Sequence, residues 1–509
     1  MNIGSTMSMN ARRHPNKEAL IYGEKRYTYQ DFNEMVNALA NGLLLQNVKK
    51  GDKIALMMKN SDDYAICFYA AAKVGAVLVP INFRLVSKEV RYILQQSDSS
   101  IVICDDDLAE TVEDARKGLS LVREVICPSP SSYSHHKTLR EIKSANLTEP
   151  GVEVSDDDDL EILYTSGTTG RPKGVLLDHK RIMNVGIIML AGLGLNPQDR
   201  FLHIAPLFHS AQLNLFMITG FFLGATHVIH RDFHPVKTLE TIEKEKVTFF
   251  FGVPAMYTHL LQVPMKEKYD LSSISRCAYG AAPMAPELVK QSMSLFQTKQ
   301  FYNLCGLTEG GPGGIILMPE DHKTKLGSGG KAFFFTEARV VDESMNDVKV
   351  GGVGELVLRG ETMMKEYYKK PKETQKAFEG GWLHTGDLAQ IDEEGFITIV
   401  DRKKDMIISG GENVYSIEVE EIMYEHPQVL EASTIGIPDE VWGEMVAAVI
   451  VPKPGETIDE EEFQTFCRQS LAGYKIPRKL FIVEELPRNA SGKILKYQLR
   501  EKLGKQPQK

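Results

Sequence analysis

Tyr164–Gly174, which reads Tyr-Thr-Ser-Gly-Thr-Thr-Gly-Arg-Pro-Lys-Gly, decides how this chain is understood. Its three glycines (Gly167, Gly170 and Gly174) let backbone N–H groups come close to an anion. Ser166, Thr168 and Thr169 add hydroxyl donors and Lys173 adds a cation, a combination that suits a polyphosphate. It is not a Walker loop, which needs Gly-Lys-Ser/Thr at the opening of a helix. Here Lys173 precedes Gly174, and the apolar Val175–Leu177 predicts a continuing strand. A plain hairpin turn requires one or two glycines, so the turn alone leaves the Gly, Pro and Lys content unexplained.

Upstream, helix and strand patterns alternate. Thr28 to Asp31 reads as an N-cap with an acidic N3 residue, followed by Phe32, Val36, Leu39 and Leu43 at helical spacing. Lys53–Met58, Ala76–Val79 and Ile101–Cys104 predict buried strands. Ser61 and Gly75 bound one intervening helix, and a second covers about 87–97. Strand, helix, strand, helix implies βαβ units with parallel pairing. Residues 128–159, with PSPSSYSHH and DDDD, predict a solvated loop. From about 330 to 400 the strands lack long helices between them, which predicts an antiparallel β subdomain. The remainder predicts a compact α+β unit, with helices 416–426 and 458–470 and strands 429–437, 445–451 and 479–484. The fold class is therefore α/β, with a large first unit and a small second one.

Composition narrows the function. The 509 residues are 43% hydrophobic and 25% charged, as expected of a folded globular chain rather than a disordered one. Lys plus Arg is 59 against 68 Asp plus Glu, a net charge of −9 that disfavours general nucleic-acid binding. Six cysteines stand far apart with no CxxC pair, which fits a reducing, cytoplasmic setting rather than a disulfide framework or zinc site. The first twenty residues have no apolar core of a signal peptide. The longest greasy stretch, 215–229, is too short and too interrupted to span a membrane. Peripheral membrane contact and oligomeric state stay open at this level.

The Tyr164–Gly174 motif resembles the phosphate loop of the adenylate-forming superfamily: acyl-CoA synthetases, nonribosomal adenylation domains and beetle luciferases. Further motifs follow in family order over most of the chain, and the wording is closest to bacterial fatty-acyl-CoA synthetases. The resemblance implies an N-terminal AMP-binding domain over 1–403 and a mobile C-terminal domain over 404–509, hinged at Lys404. It implies ATP, Mg²⁺ and coenzyme A as cofactors and co-substrates, and a small carboxylic acid as partner.

Residue by residue, the resemblance assigns Thr165, Ser166, Gly167, Thr168, Thr169, Gly170 and Lys173 to the phosphates. His209, in Pro206-Leu207-Phe208-His209, borders the acid pocket. Gly280, Ala281, Ala282 and Pro283 lie along adenine and the acyl group. In Asn303–Glu309, similar to the family's Q-G-Y-G-x-T-E, Thr308 donates to the α-phosphate and Glu309 holds Mg²⁺, while Asn303, Cys305 and Gly306 border the nucleotide. Cys305 departs from the aromatic residue usual there. Asp387 accepts from the ribose diol, Arg402 reaches ribose and phosphates, and Gly410 and Gly411 stand beside the pantetheine tunnel. Lys493, in Pro487–Lys493, enters from the small domain and touches the acid carboxylate and the nucleotide.

The implied reaction has two halves. A carboxylate attacks the α-phosphorus of ATP and expels pyrophosphate, and a thiol then displaces AMP from the acyl-adenylate. The attacking acid is already ionised at neutral pH, so no general base is required. Phe208, the 280–283 segment and Gly310–Gly314 suggest an apolar pocket that fits a medium or long acyl chain and equally a flat aromatic acid; the resemblance to fatty-acyl-CoA synthetases implies the fatty acid. An aryl-acid ligase, a carrier-loading adenylating enzyme and a non-catalytic nucleotide sensor are the alternatives.

Overall fold

A computed structural model describes residues 1–165, 171–439, 441–488 and 493–504. Two large sheets dominate the first four hundred residues. One is eight-stranded, in the order 366–367, 173–178, 159–165, 77–80, 53–57, 99–104, 124–127 and 137–138. The other is nine-stranded, in the order 331–332, 314–317, 301–306, 276–280, 249–252, 200–203, 226–229, 18–22 and 25–28. Their central strands are parallel, as the βαβ pattern requires, and the antiparallel pairs lie towards the edges.

Local sequence explains the elements between them. Thr28 and Asp31 form a reciprocal capping box at the start of helix Tyr29–Leu45. Ser61 caps helix Asp62–Val74 and Gly75 ends it at φ 68°, where a side chain would be strained. Every residue of that helix except Asp63 is buried. A helix apolar on all sides belongs inside a core, and Phe32, Tyr69 and Phe221 pack there, with Phe32 stacked on Phe221 at 5.2 Å. The single cation inside, Lys73, gives hydrogen bonds of 2.7 Å to Ser8, Asn33, Asn37 and Glu149.

The greasy 215–229 stretch is not one helix. A π-helical segment Ala211–Ile218 runs into a short α-helix, Thr219–Leu223, and then a strand, Thr226–Ile229. Among the described residues no helix is long and apolar enough to cross a membrane.

Strands 336–341, 353–360, 383–391 and 397–402 form the antiparallel sheet read from the sequence. A three-residue turn, 403–405, leads from its last strand to a separate sheet built from 407–409, 412–414, 429–439, 443–452 and 479–482. Helices Ser416–Glu425 and Glu460–Arg468 supply apolar residues to that sheet's core. Asp401 bridges the turn: its carboxylate accepts from the Ser416 backbone N–H at 2.6 Å and the Ser416 hydroxyl at 3.0 Å.

Gly410 and Gly411 join strands 407–409 and 412–414 through a two-residue hairpin, at φ 62° and 83°. Two successive positive φ values are the geometry of a type I′ turn, which favours glycine. Replacing either by Ala is expected to lower the stability of the small unit by about 1 kcal/mol. Denaturant unfolding followed on this unit should show that loss, with the unfolding of the large unit unmoved.

Candidate active site

The described ends of the Tyr164–Gly174 motif lie on two paired strands of the eight-stranded sheet. Strand Asp159–Thr165 returns as Lys173–Asp178, pairing Tyr164 with Gly174 and Thr165 with Lys173. The strand after Lys173 is therefore as expected; Ser166, Gly167, Thr168, Thr169 and Gly170 lie outside the described residues. Lys173 stands over the ring of Tyr367 at 4.1 Å, a cation–π contact.

Glu309 comes from the other large sheet, on the turn after strand Phe301–Gly306. Its Oε1 accepts from Thr165 Oγ1 at 3.3 Å and from Tyr367 Oη at 2.8 Å. Thr308 shares a 3.0 Å hydroxyl contact with Ser210. Asn303 donates to the Ser328 carbonyl at 3.0 Å. The crossing is tight: a Cβ on Gly280 would lie 2.2 Å from the Leu304 carbonyl, and one on Gly306 2.2 Å from that of Pro312. Ala281 follows at φ 65°, a left-handed conformation that costs a side-chain-bearing residue about 1 kcal/mol. Such strain clusters at functional sites. Ala282 is half-buried and Pro283 exposed at the surface of this turn.

A cavity of about 490 Å³ opens beside this crossing. Ile204, Phe251, Val253 and Met256 give it apolar walls, and His209 and Ala281 border it. His209 accepts from the Ala211 N–H through Nδ1 at 3.3 Å. Burial pushes it down to about 4, so it is a neutral wall at pH 7. Two expectations change here. Phe208 packs edge-on against Phe83, and Phe83 forms the wall. Gly310–Gly314 pack instead against strand 301–306 and Thr362, where a Cβ on Gly314 would lie 2.2 Å from the Cys305 carbonyl.

Asp387, Arg402 and Lys493 gather around Cys305. Asp387 pairs with Arg402 at 2.6 Å across neighbouring strands. Burial, then the Asp387 carboxylate, pushes the Cys305 thiol up to about 12, so it is a small neutral wall. Arg402 and Lys493 act on the same thiol, which places the lysine of the small unit at this site. Lys493 is itself pushed down to about 8, chiefly by burial and then by Arg402. Lys404 lies in the turn between the units and is lowered by burial.

The family model described as "AMP-binding enzyme" matches residues 7–368, and its C-terminal domain model matches 418–493. The chain belongs to this family. It is 37% identical over 502 residues to a feruloyl-CoA synthase of an Amycolatopsis species, with 99% of each chain covered. It is also 37% identical over 505 residues to the long-chain-fatty-acid–CoA ligase FadD13 of Mycobacterium tuberculosis, with 98% of each covered. A solved anthranilate CoA ligase, AuaEII with anthranoyl-AMP, superposes at TM-score 0.92 with 27% identity, over 99% of this chain and 97% of the other. The chain is accordingly an AMP-forming acid–CoA ligase that works on ATP, Mg²⁺, coenzyme A and a small carboxylic acid.

Tyr367, Ser210 and Phe83 escaped the sequence reading. Tyr367 meets Glu309 because strand 366–367 pairs with Val175 and Leu176, about 190 positions away in the chain. Two consecutive tyrosines, Tyr367-Tyr368, were the available signal.

An amine near 8 is about half unprotonated at pH 8, where an ordinary lysine is almost entirely charged. Lys493 should therefore be the fastest-acylated accessible lysine of the ligase, and ATP should protect it. Lys73, lowered to about 8 by burial, is sealed in the core and should label slowly. Peptide mapping after a brief pulse of an acetylating reagent reads both.

Proposed function

We propose that the ligase activates a medium- or long-chain fatty acid, with Lys493 serving the first half-reaction only. The observation that carries the acid assignment is the 490 Å³ cavity with Ile204, Phe251, Val253 and Met256 in its wall. A flexible chain gains from apolar burial there at roughly 25 cal/mol per Å². A second reading, an aryl acid, is favoured by the feruloyl and anthranilate ligases among its relatives and by the flat rings of Phe83 and Phe251 in the same wall.

Glu309 suits Mg²⁺, because that ion takes one or two carboxylates together with phosphate oxygens; when bound it supplies charge neutralisation at those oxygens. Thr165 and Tyr367 fix the carboxylate for this role. Thr308 and Lys173, with the Ser166–Gly170 loop, are proposed to receive the phosphates. In-line phosphoryl-type displacement depends mainly on such positioning and charge. Gly280, Ala281, Ala282, Pro283, Asn303, Cys305 and Gly306 form the proposed adenine and acyl border, and His209 a neutral edge of the acid pocket. Asp387 and Arg402 are proposed to hold ribose. Their mutual ion pair keeps the carboxylate oriented before a diol arrives.

Lys493 brings an ammonium against the attacking carboxylate and the bridging oxygen. The thiol must reach the same place in the second half-reaction. Rotation about Lys404 would remove Lys493 and bring Gly410 and Gly411 to the thiol channel. The domain boundary at 403/404 is part of this proposal, supported by the change of sheet across the 403–405 turn.

Turnover of ATP, Mg²⁺ and coenzyme A with acids from acetate to palmitate, benzoate and cinnamate tests the acid. An optimum in the aliphatic series supports the first reading; turnover confined to the aryl acids replaces it with the second.

Lys493→Ala should lower acid-dependent pyrophosphate release by at least a hundredfold. It should leave thioester formation from supplied acyl-adenylate within a few-fold. Equal loss of both steps would remove Lys493 from its assigned role.

A further inference from the structure

Away from the ligase site, strands Ser99–Cys104 and Glu124–Cys127 end side by side. Their parallel register pairs Ile103 with Ile126, so Cys104 and Cys127 are the next neighbours. Adjacent strands lie about 4.8 Å apart, within the Cα separation a disulfide accepts. The two sulfur atoms are 4.0 Å apart, and both side chains are buried.

Cys127 also has a base. His136 Nδ1 lies 3.7 Å from its sulfur and 3.0 Å from Ser131 Oγ. His136 Nε2 lies 2.6 Å from Glu113 Oε1. A carboxylate only accepts, so Nε2 carries the proton and Nδ1 presents its lone pair to the thiol. Arg116 fixes Glu113 in turn, with Nε 2.7 Å from Oε1. Thiol, imidazole and carboxylate in this order form a nucleophile, its base and the group that orients the base. The hydrogen bond with Cys127, then burial, pushes the Cys104 thiol up, whereas the same contact with Cys104, followed by His136 and Ser131, draws Cys127 down. Glu113, His135 and His136 are near enough to one another to hold a cation, but the Arg116 guanidinium already lies between Glu113 and His135, 2.9 Å from His135 Nε2.

We propose that Cys104 and Cys127 are a redox modification site, oxidised by hydroperoxides to an intramolecular disulfide, with Cys127 as the attacking sulfur. Cys127 gives its proton to His136, and its thiolate attacks the O–O bond. An S–O bond forms, the O–O bond breaks, and the departing alkoxide or hydroxide leaves as alcohol or water after taking the imidazolium proton. Cys104 then attacks the Cys127 sulfenic acid; the S–S bond forms, the S–O bond breaks and water leaves with the Cys104 proton. Two thiols lose two electrons and the peroxide is reduced. The cover is the loop 128–135, where Ser129, Pro130, Ser132, Ser134 and His135 are exposed, and its local opening admits a small oxidant.

Exposure alone predicts a different target. Cys305 is the only cysteine that is not fully buried, while Cys67, Cys277 and Cys467 are as buried as the proposed pair but lack its histidine. The full-length ligase, kept in chelator, is treated with hydrogen peroxide, quenched with a thiol-blocking reagent and mapped by mass spectrometry. The expected result is a Cys104–Cys127 disulfide formed while Cys67, Cys277, Cys305 and Cys467 are still blocked as thiols. Cys104→Ser should leave a trappable sulfenic acid at Cys127, and His136→Asn should slow oxidation at least tenfold. Retained ATP-dependent turnover certifies that both variants are folded. Oxidation of Cys305 ahead of the pair, or of Cys127 no faster than Cys67, overturns the proposal, as does an unchanged rate in His136→Asn.

Discussion

Glu309 Oε1 is the point on which three parts of the molecule depend. It accepts from Thr165, at the end of the eight-stranded sheet, and from Tyr367, on the segment that adds an edge strand to that sheet. Glu309 itself belongs to the nine-stranded sheet's end. The Met364 N–H returns a 2.8 Å hydrogen bond to the Glu309 carbonyl, closing the junction through the backbone. A carboxylate with two fixed donors has few orientations left, so the relative placement of the two sheets also sets the direction in which its second oxygen points.

That junction shows which parts of the architecture were legible. Capping at Thr28 and Ser61, the left-handed stop at Gly75 and the strand after Lys173 are local events, decided within a few residues, and the chain states them openly. The contact of Tyr367 with Glu309 depends on strand register across distant segments, which no local pattern encodes. The 490 Å³ cavity shows the same limit: Phe208 and Phe83 are both aromatic, and only packing decides that Phe83 faces it. Gly310–Gly314 look from composition like room for a ligand, but they are small because backbone crosses there. Cys305, Asp387, Arg402 and Lys493 could be nominated through family likeness alone; their common location emerges from the charges that act on Cys305.

The buried polar groups are not equivalent. Lys73 is fully surrounded by partners and stabilises one arrangement of four segments. The neutral pair His203 and His227, 2.8 Å apart between stacked rings, likewise orders a core. Cys127 and His136 differ because their contact leaves a basic nitrogen facing a sulfur, a pairing that has chemistry as well as geometry.

The turn 403–405 joins two bodies that each have a sheet and a core. It is a joint only three residues long, and Asp401 braces it against Ser416. Lys493 belongs to the second of these bodies, yet its charge is felt by Lys404 and Asp405 of the turn and by Arg402 just before it. With the amine beside the joint rather than remote from it, its placement is set by the stiffness of those few residues. A loose linker of equal span would deliver the same lysine to the same neighbourhood, but without a repeatable angle.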